Sequence, residues 1–265
     1  MIDREEFQRV YRASVADVVR NIGASELEKM SAHNRELLKS DPREYLERSE
    51  VRYLRALQLL GSRASTRDSL LEVGGYLGVF PLALARLGVS VTVAERYDLY
   101  DGALDAVREL LHQAGARVWD VDFTAPDLQP EPFRVVVNMA MVEHVAGSPR
   151  TLMQNLRSCC AGHLLLEVPN LAYGYKRWQL LRGQTIHPPL RDVYESAVPF
   201  TGHHREYTGA DLRELLELSG FRLEQTATFN YSLTGDMRAR LRPHDLLTRL
   251  LPSWREVLMA VAAPA

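Results

Sequence analysis

The chain has 265 residues, 46% hydrophobic and 25% charged, with a formal net charge of −2. That composition supports a sizeable buried core, and the length exceeds the about 100–200 residues of a usual domain, which suggests one large domain or a core with an appendage. A near-neutral balance gives no general affinity for nucleic acid, and no apolar run approaches the ~20 residues of a membrane span, so neither partner is expected.

Residues 3–61 read as three amphipathic helices, at about 3–21, 25–39 and 43–60, with Val10, Val15, Val18 and Val19 recurring at helical spacing. Pro42 falls at the start of the third, where its missing N–H costs little. The charged start, Met1-Ile2-Asp3-Arg4-Glu5-Glu6, has no signal-peptide pattern, and the expected location is cytoplasmic. Residues 61–66 form a polar hinge, dividing the chain into a helical appendage or lid over 1–64 and a main domain over 65–265.

The most informative stretch follows. Leu70 to Val73 is a short apolar strand carrying Glu72, and it runs into Gly74 and Gly75. Gly78 opens a helix to about Leu87, and a second strand, Val89 to Ala94, ends at Glu95. Strand, glycine turn, helix, strand and acid make one nucleotide-binding βαβ unit. Glycines let a ligand approach the main chain, and an acid on the second strand can accept both hydroxyls of a ribose. Gly74-Gly75-Tyr76-Leu77-Gly78 lacks the G-x-G-x-x-G spacing that suits a pyrophosphate. Glu72 would repel a pyrophosphate and attract a cation.

Further on, a helix at about 100–114 and a strand at 116–119 precede Asp120-Val121-Asp122-Phe123. Pro126, Pro130 and Pro132 mark a loop before Phe133-Arg134-Val135-Val136-Val137-Asn138-Met139-Ala140-Met141-Val142-Glu143-His144. A helix over about 148–160, Ala161-Gly162, a strand from His163 to Val168 and Pro169-Asn170 come next. The adjacent Cys159 and Cys160 cannot readily bridge each other and read as core residues. Residues 171–208 are a long segment rich in aromatics, with Tyr173, Tyr175, Trp178, Tyr194, Phe200 and Tyr207 beside His187, His203 and His204. It is too aromatic for disorder and reads as a binding insertion or, residue by residue, as core packing. Pro188-Pro189 and Pro199 keep part of it extended. A helix from Ala210 to Leu218, a strand entered at Gly220-Phe221, a leucine-rich helix at about 243–251 and a last strand from Val257 to Val261 finish the chain. The leucine-rich helix packs on the sheet or a second subunit, or touches a membrane surface.

This ordered series resembles the class I S-adenosylmethionine-dependent methyltransferase superfamily, with a core like that of ubiquinone methyltransferases. Glu72, Gly74 and Gly78 match the acid-x-Gly-x-Gly-x-Gly motif, while Tyr76 replaces its middle glycine. Residues 133–145 match the fourth strand and its Glu-His ending, with Arg134 in place of the common aspartate. The resemblance spans about 67–230 and implies an α/β Rossmann-like seven-stranded sheet of order 3-2-1-4-5-7-6, its last strand antiparallel, with helices on both faces. It implies S-adenosyl-L-methionine as cofactor and S-adenosyl-L-homocysteine as product. The cofactor residues it implies are Glu72, Gly74, Gly75, Gly78, Glu95, Asp122, Phe123, Asn138 and Met139. Asp122 fits the family's spacing better than Asp120.

The expected reaction is methyl transfer to a hydroxyl of a small molecule or sugar, in glycan or natural-product biosynthesis. His144 is the first choice of general base, with His203 and His204 as alternatives. No His/Cys cluster has zinc spacing, so a tightly held structural metal is not expected. The resemblance to ubiquinone-type O-methyltransferases allows a divalent metal, not itself expected, on Glu143 and His144. N- or C-methylation in natural-product or quinone biosynthesis is the alternative. Asn138-Met139-Ala140-Met141 stands where amine methylators of DNA and protein carry Asn/Asp-Pro-Pro-Tyr. A degenerate binding subunit, supported by Tyr76, and an NAD dehydrogenase complete the alternatives, and a homodimer is allowed.

Overall fold

The computed structural model describes residues 2–23, 26, 42–65, 68–196, 200–231 and 242–265. The helix expected at 25–39 lies outside the described residues apart from Glu26, as do the hinge residues 66–67 and Pro199.

The chain opens with α1 (Arg4–Asn21) and α2 (Pro42–Leu60). Asp3 caps α1, its carboxylate accepting the Glu6 amide at 2.9 Å. Phe7, Tyr11, Val15 and Val18 recur at i, i+4, i+8 and i+11 and are buried, each contributing about 1.5–3 kcal/mol. Alternating units then follow: β1 (Ser69–Val73), α3 (Val79–Arg86), β2 (Ser90–Glu95), α4 (Asp105–Gln113) and β3 (Arg117–Asp120). After these come β4 (Phe133–Met139), α5 (Arg150–Cys159) and β5 (Cys160–Pro169). The insertion contains two short helices, α6 (Gly174–Leu181) and α7 (Leu190–Glu195), and the chain closes with α8 (Gly209–Leu218), β6 (Phe221–Phe229), α9 (Arg242–Leu250) and β7 (Val257–Pro264).

The seven strands form one sheet of order β3-β2-β1-β4-β5-β7-β6, with β7 antiparallel to both neighbours. Pairings on the β3 side are parallel, with Glu72 opposite Val93 and Val137, and Met139 opposite Glu167. Residues alternate between two cores, as the pleat requires. Leu70, Val91, Val135 and Val137 pack with α1 to α4, whereas Leu71, Ala94, Val136 and Leu164 pack with α5 and α8.

Local differences from the sequence-based expectations have simple causes. The expected helix at 100–114 is a 3-10 turn (Tyr97–Tyr100) followed by α4, because Asp101 and Gly102 both take positive φ and break the helical run. Ala161-Gly162 does not separate helix from strand; β5 starts at Cys160 and runs through it. A side chain at Gly162 would come within 2.4 Å of the Arg134 carbonyl, so glycine is there for close strand packing. Cys159 and Cys160 are buried free thiols, and burial pushes them up to about 12 and about 11, which keeps them unreactive.

Candidate functional site

Parallel sheets present ligands at the carboxyl ends of their strands. A cavity of about 700 Å³ opens there, lined from β1, β2, β4, β5, the insertion and α2. One end is the glycine turn. Glu72, near the tip of β1, is buried, and its Oε2 has no hydrogen-bond partner among the described residues. Burial, then the charge of Glu95, pushes its pKa up to about 8. Such a group is poised for a cation. Glu95 ends β2, its Oε2 accepting the Tyr76 amide and its Oε1 the Arg96 amide, both at 2.8 Å.

Between these carboxylates the backbone passes close to the cavity. Gly74 has φ +83°, and a side chain there would strike Met141 at about 3.0 Å. A Cβ on Gly75 would lie 2.5 Å from Val93 and 3.7 Å from Glu72 Oε2. Tyr76 holds φ +46° although it is not glycine, and its buried hydroxyl has no partner among the described residues. Its ring lies 6.0 Å from Tyr100, beside the cavity. Four described non-glycine residues take positive φ, of which Asp101 and Asp127 tolerate it well. The other two, Tyr76 and Ala140, both line the cavity, which places about 1–3 kcal/mol of backbone strain apiece there.

Asp122 and Phe123 line the same end. Asp122 is fixed by the Thr124 amide and hydroxyl and by Arg96, while Asp120 accepts the Tyr97 amide outside the lining. Gly74, Gly75, Gly78 and Met139 also line the cavity. Asn138 does not. Its side chain turns back toward β1, where Nδ2 donates to the Val73 carbonyl at 3.1 Å, so it braces the turn from behind.

A second cluster in the lining is Glu143, His144 and His203. Glu143 and His144 sit on a 3-10 turn after β4, and His203 returns from the insertion. The amides of His204 and Arg205 donate to the Glu143 carbonyl at 2.7 and 3.3 Å, fastening the two segments together. His144 Nδ1 lies 2.7 Å from the Thr201 carbonyl, so it carries the proton and Nε2 the lone pair. His203 Nδ1 lies 3.0 Å from Glu206 Oε1, and burial pushes its pKa down to about 3. It is therefore neutral and a weak base. His204 is exposed, and its ring is engaged by the Phe200 carbonyl at 2.8 Å. Burial raises Glu143 to about 8.

Several lining residues carry no motif. Arg52 of α2 pairs with Glu167 of β5 at 2.9 Å, their side chains 3% and 2% exposed. That carboxylate keeps Arg52 charged. Tyr45, Leu46 and Tyr53 from α2, Lys176 paired with Glu206 on the insertion, and Tyr231 and Glu256 complete the wall. Two signals were available. Arg52 interrupts the inward stripe Leu46, Ser49 and Ala56, where charges are rare, and Glu167 interrupts an apolar strand as Glu72 does.

The family model described as a methyltransferase domain matches residues 45–226. A search of curated protein sequences finds no match. Solved structures do match. Magnesium protoporphyrin IX methyltransferase from Synechocystis, crystallised with S-adenosylhomocysteine, is 13% identical with a TM-score of 0.54, over 83% of this chain and 87% of that one. The N-methyltransferase NodS from Bradyrhizobium japonicum gives 16% and 0.52, over 82% and 87%. An S-adenosylmethionine-dependent methyltransferase from Mesorhizobium loti gives 16% and 0.55, over 82% and 97%. At such identities the likeness is one of fold, and it extends over most of each chain.

Proposed function

This chain belongs to the methyltransferase-domain family, and on that premise we propose that it moves a methyl group from S-adenosylmethionine to a hydroxyl of a small molecule or sugar. The observation that carries this reading is one cavity lined by two unlike clusters. In one, two carboxylates flank a glycine turn; in the other, a buried carboxylate without a hydrogen-bond partner among the described residues stands beside two imidazoles.

The residues fit the cofactor. Glu72 Oε2, buried without a partner, would face its positive end, and Glu95 would accept the ribose hydroxyls with the lone pairs that the Tyr76 and Arg96 amides leave over. Asp122 and Phe123 would border the adenine. When bound, S-adenosylmethionine supplies an electrophilic methyl carbon: the acceptor–carbon bond forms as the carbon–sulfur bond breaks, and its electron pair stays on sulfur.

The chain's own work is then to orient the acceptor and dispose of its proton. Flat faces from Tyr45, Tyr53, Tyr173, Phe200 and Tyr231 suit a ring-shaped hydroxylated acceptor. Fixing the nucleophile in line can remove about 7–11 kcal/mol from a barrier. His144 Nε2 is the first base to name, since the Thr201 carbonyl fixes its tautomer and His203 is held neutral. Proton removal of this kind typically contributes about 10²–10⁴-fold.

N-methylation is the second reading, favoured by Glu143, whose buried carboxylate would also hold a cationic amine. Calorimetry with S-adenosylmethionine, followed by mass spectrometry of products from a panel of phenols, sugars and amines, tests both. Saturable cofactor binding and an O-methylated product are expected. No binding would end the enzymatic reading, and an N-methylated product would replace the first reading by the second.

A further inference from the structure

We propose that the acceptor carries an ammonium group beside the hydroxyl it offers for methylation, and that Glu143 is the residue that selects it. The inference rests on reading the cavity as the site of methyl transfer, and it names the class of acceptor: an amino sugar, an amino alcohol or an aminoalkyl phenol.

Among the described residues, the lysine and arginine side chains that line the cavity are Arg52, Arg96 and Lys176, and each is already matched by an acid. Arg52 pairs with Glu167 at 2.9 Å, Arg96 with Asp98 at 2.7 Å and Asp122 at 3.3 Å, and Lys176 with Glu206. A carboxylate or phosphate on the acceptor would therefore have to compete with an acid for every cation of this wall. Glu143 is the reverse case. It is 1% exposed, and neither of its carboxylate oxygens has a hydrogen-bond partner among the described residues. A buried carboxylate needs donors, and burial keeps bulk water from supplying them. An ammonium brings both the donors and the missing charge.

The His203 ring supplies a second acceptor. Its Nδ1–H goes to Glu206 Oε1 at 3.0 Å, Lys176 holds the other oxygen of Glu206, and the lone pair of the neutral ring is left on Nε2. A ring nitrogen of His203 lies within 4.8 Å of a Glu143 oxygen. Two acceptors that each stand about 2.9 Å from one tetrahedral nitrogen are about 4.7 Å apart, so the pair is spaced for a single ammonium. Tyr173 and Phe200 line the same cavity from the insertion, and a ring face attracts a cation. Glu206 and Lys176 are positioning residues that hold the His203 ring in its tautomer.

A protonated amine has no lone pair, so the nitrogen held by Glu143 anchors the acceptor while the hydroxyl takes the methyl carbon. Burial raises Glu143 to about 8, against the pull of its own amide, Arg52 and Lys176 and with the push of Glu167. His144 on the same turn, His203 and Tyr207 are also close to it. Below about pH 8 the empty site therefore holds a proton, which leaves for solvent when the ammonium arrives. Affinity for such a ligand rises with pH and levels near pH 8.

The test uses the full chain saturated with S-adenosylhomocysteine and titrated by calorimetry with matched phenols: tyramine, the uncharged 4-ethylphenol and the anionic 4-hydroxyphenylacetate. Glucosamine and glucose form a second pair. The wild type is expected to bind at least one ammonium-bearing probe about tenfold or more tightly than its uncharged partner, and to bind the anion least. E143Q should erase that preference, and E143D, which keeps the charge, should retain part of it. At pH 7, tyramine titrations in phosphate and in MOPS should differ in heat by the release of about one proton per ligand, which E143Q removes. A wild type without the preference, including one that binds none of the probes, or a preference that survives E143Q, overturns the proposal. Should E143Q unfold by circular dichroism, the wild type and E143D decide, and a preference without proton release overturns it. Titration with S-adenosylhomocysteine alone keeps the two readings apart. Its binding without an ammonium preference removes only this proposal, whereas its failure to bind removes the methyl-transfer reading, and the same probes on the unliganded chain then judge Glu143 separately.

Discussion

At the glycine turn of the cavity, Glu72, Gly74, Gly75 and Glu95 all come from a single βαβ unit, and the Tyr76 amide meets Glu95 across only 19 positions. Elsewhere in the wall, Arg52 reaches Glu167 across 115 positions and His144 meets the Thr201 carbonyl across 57. The first is a local construction whose spacing is set by one strand-helix-strand length. The second exists only once α2, β5 and the insertion have packed. On the proposed reading, the wall that meets the acceptor is the one assembled from separate segments.

Breaking each of the two separately is the sharpest check. His144→Ala should lower turnover by about 10²–10⁴-fold while cofactor affinity stays within about twofold, measured by single-turnover kinetics and calorimetry. A matching loss of cofactor affinity would mean that the two are not distinct. Arg52→Met should cost about 3–5 kcal/mol of stability, because Glu167 is left as a buried unpaired charge, and the double variant Arg52→Met/Glu167→Leu should recover most of it. Urea denaturation of the three proteins reads this directly. Glu95→Ala removes two charge-assisted bonding sites and should weaken S-adenosylmethionine by about 100-fold or more, with the fold retained by circular dichroism.

A smaller effect separates protonation from packing. Glu72 is raised to about 8 from its usual 4.5. The folded state thus holds the proton more tightly than the unfolded chain. Its contribution to stability is complete below about pH 4.5 and is lost as pH rises toward about 8. A cation binds the ionised form, so cofactor affinity should move oppositely, rising by up to about tenfold per pH unit and levelling near pH 8. Glu72→Gln should flatten both trends; an unchanged affinity profile would remove Glu72 from cation binding. Least of all, Tyr76→Gly should alter affinity by no more than about threefold, since relief of backbone strain is offset by the added freedom of glycine. A large gain would mean that the phenol ring obstructs the pocket.

Much of the geometry around the glycine turn was readable from residue order alone. Apolar runs set the strands, and Glu72 and Glu95 stood out as acids at their tips. Tyr76 looked like a departure, yet it takes the left-handed conformation that a glycine there would take, and it donates its amide to Glu95 all the same. Glu167 repeats the signature of Glu72 but lies outside any glycine motif, so nothing in the order of residues linked it to Arg52. Nor could His203 be distinguished from His204 by composition. Only the fold shows that one ring turns toward Glu143 and the other toward Phe200.

The Glu143 carbonyl, gripped by the amides of His204 and Arg205, bears on how this scaffold could be retargeted. Grafting a foreign insertion over 171–208 would carry off His203 and loosen the turn that presents His144. New acceptors are better sought by single changes to ring-bearing wall positions such as Tyr45 or Tyr173, which leave that knot tied.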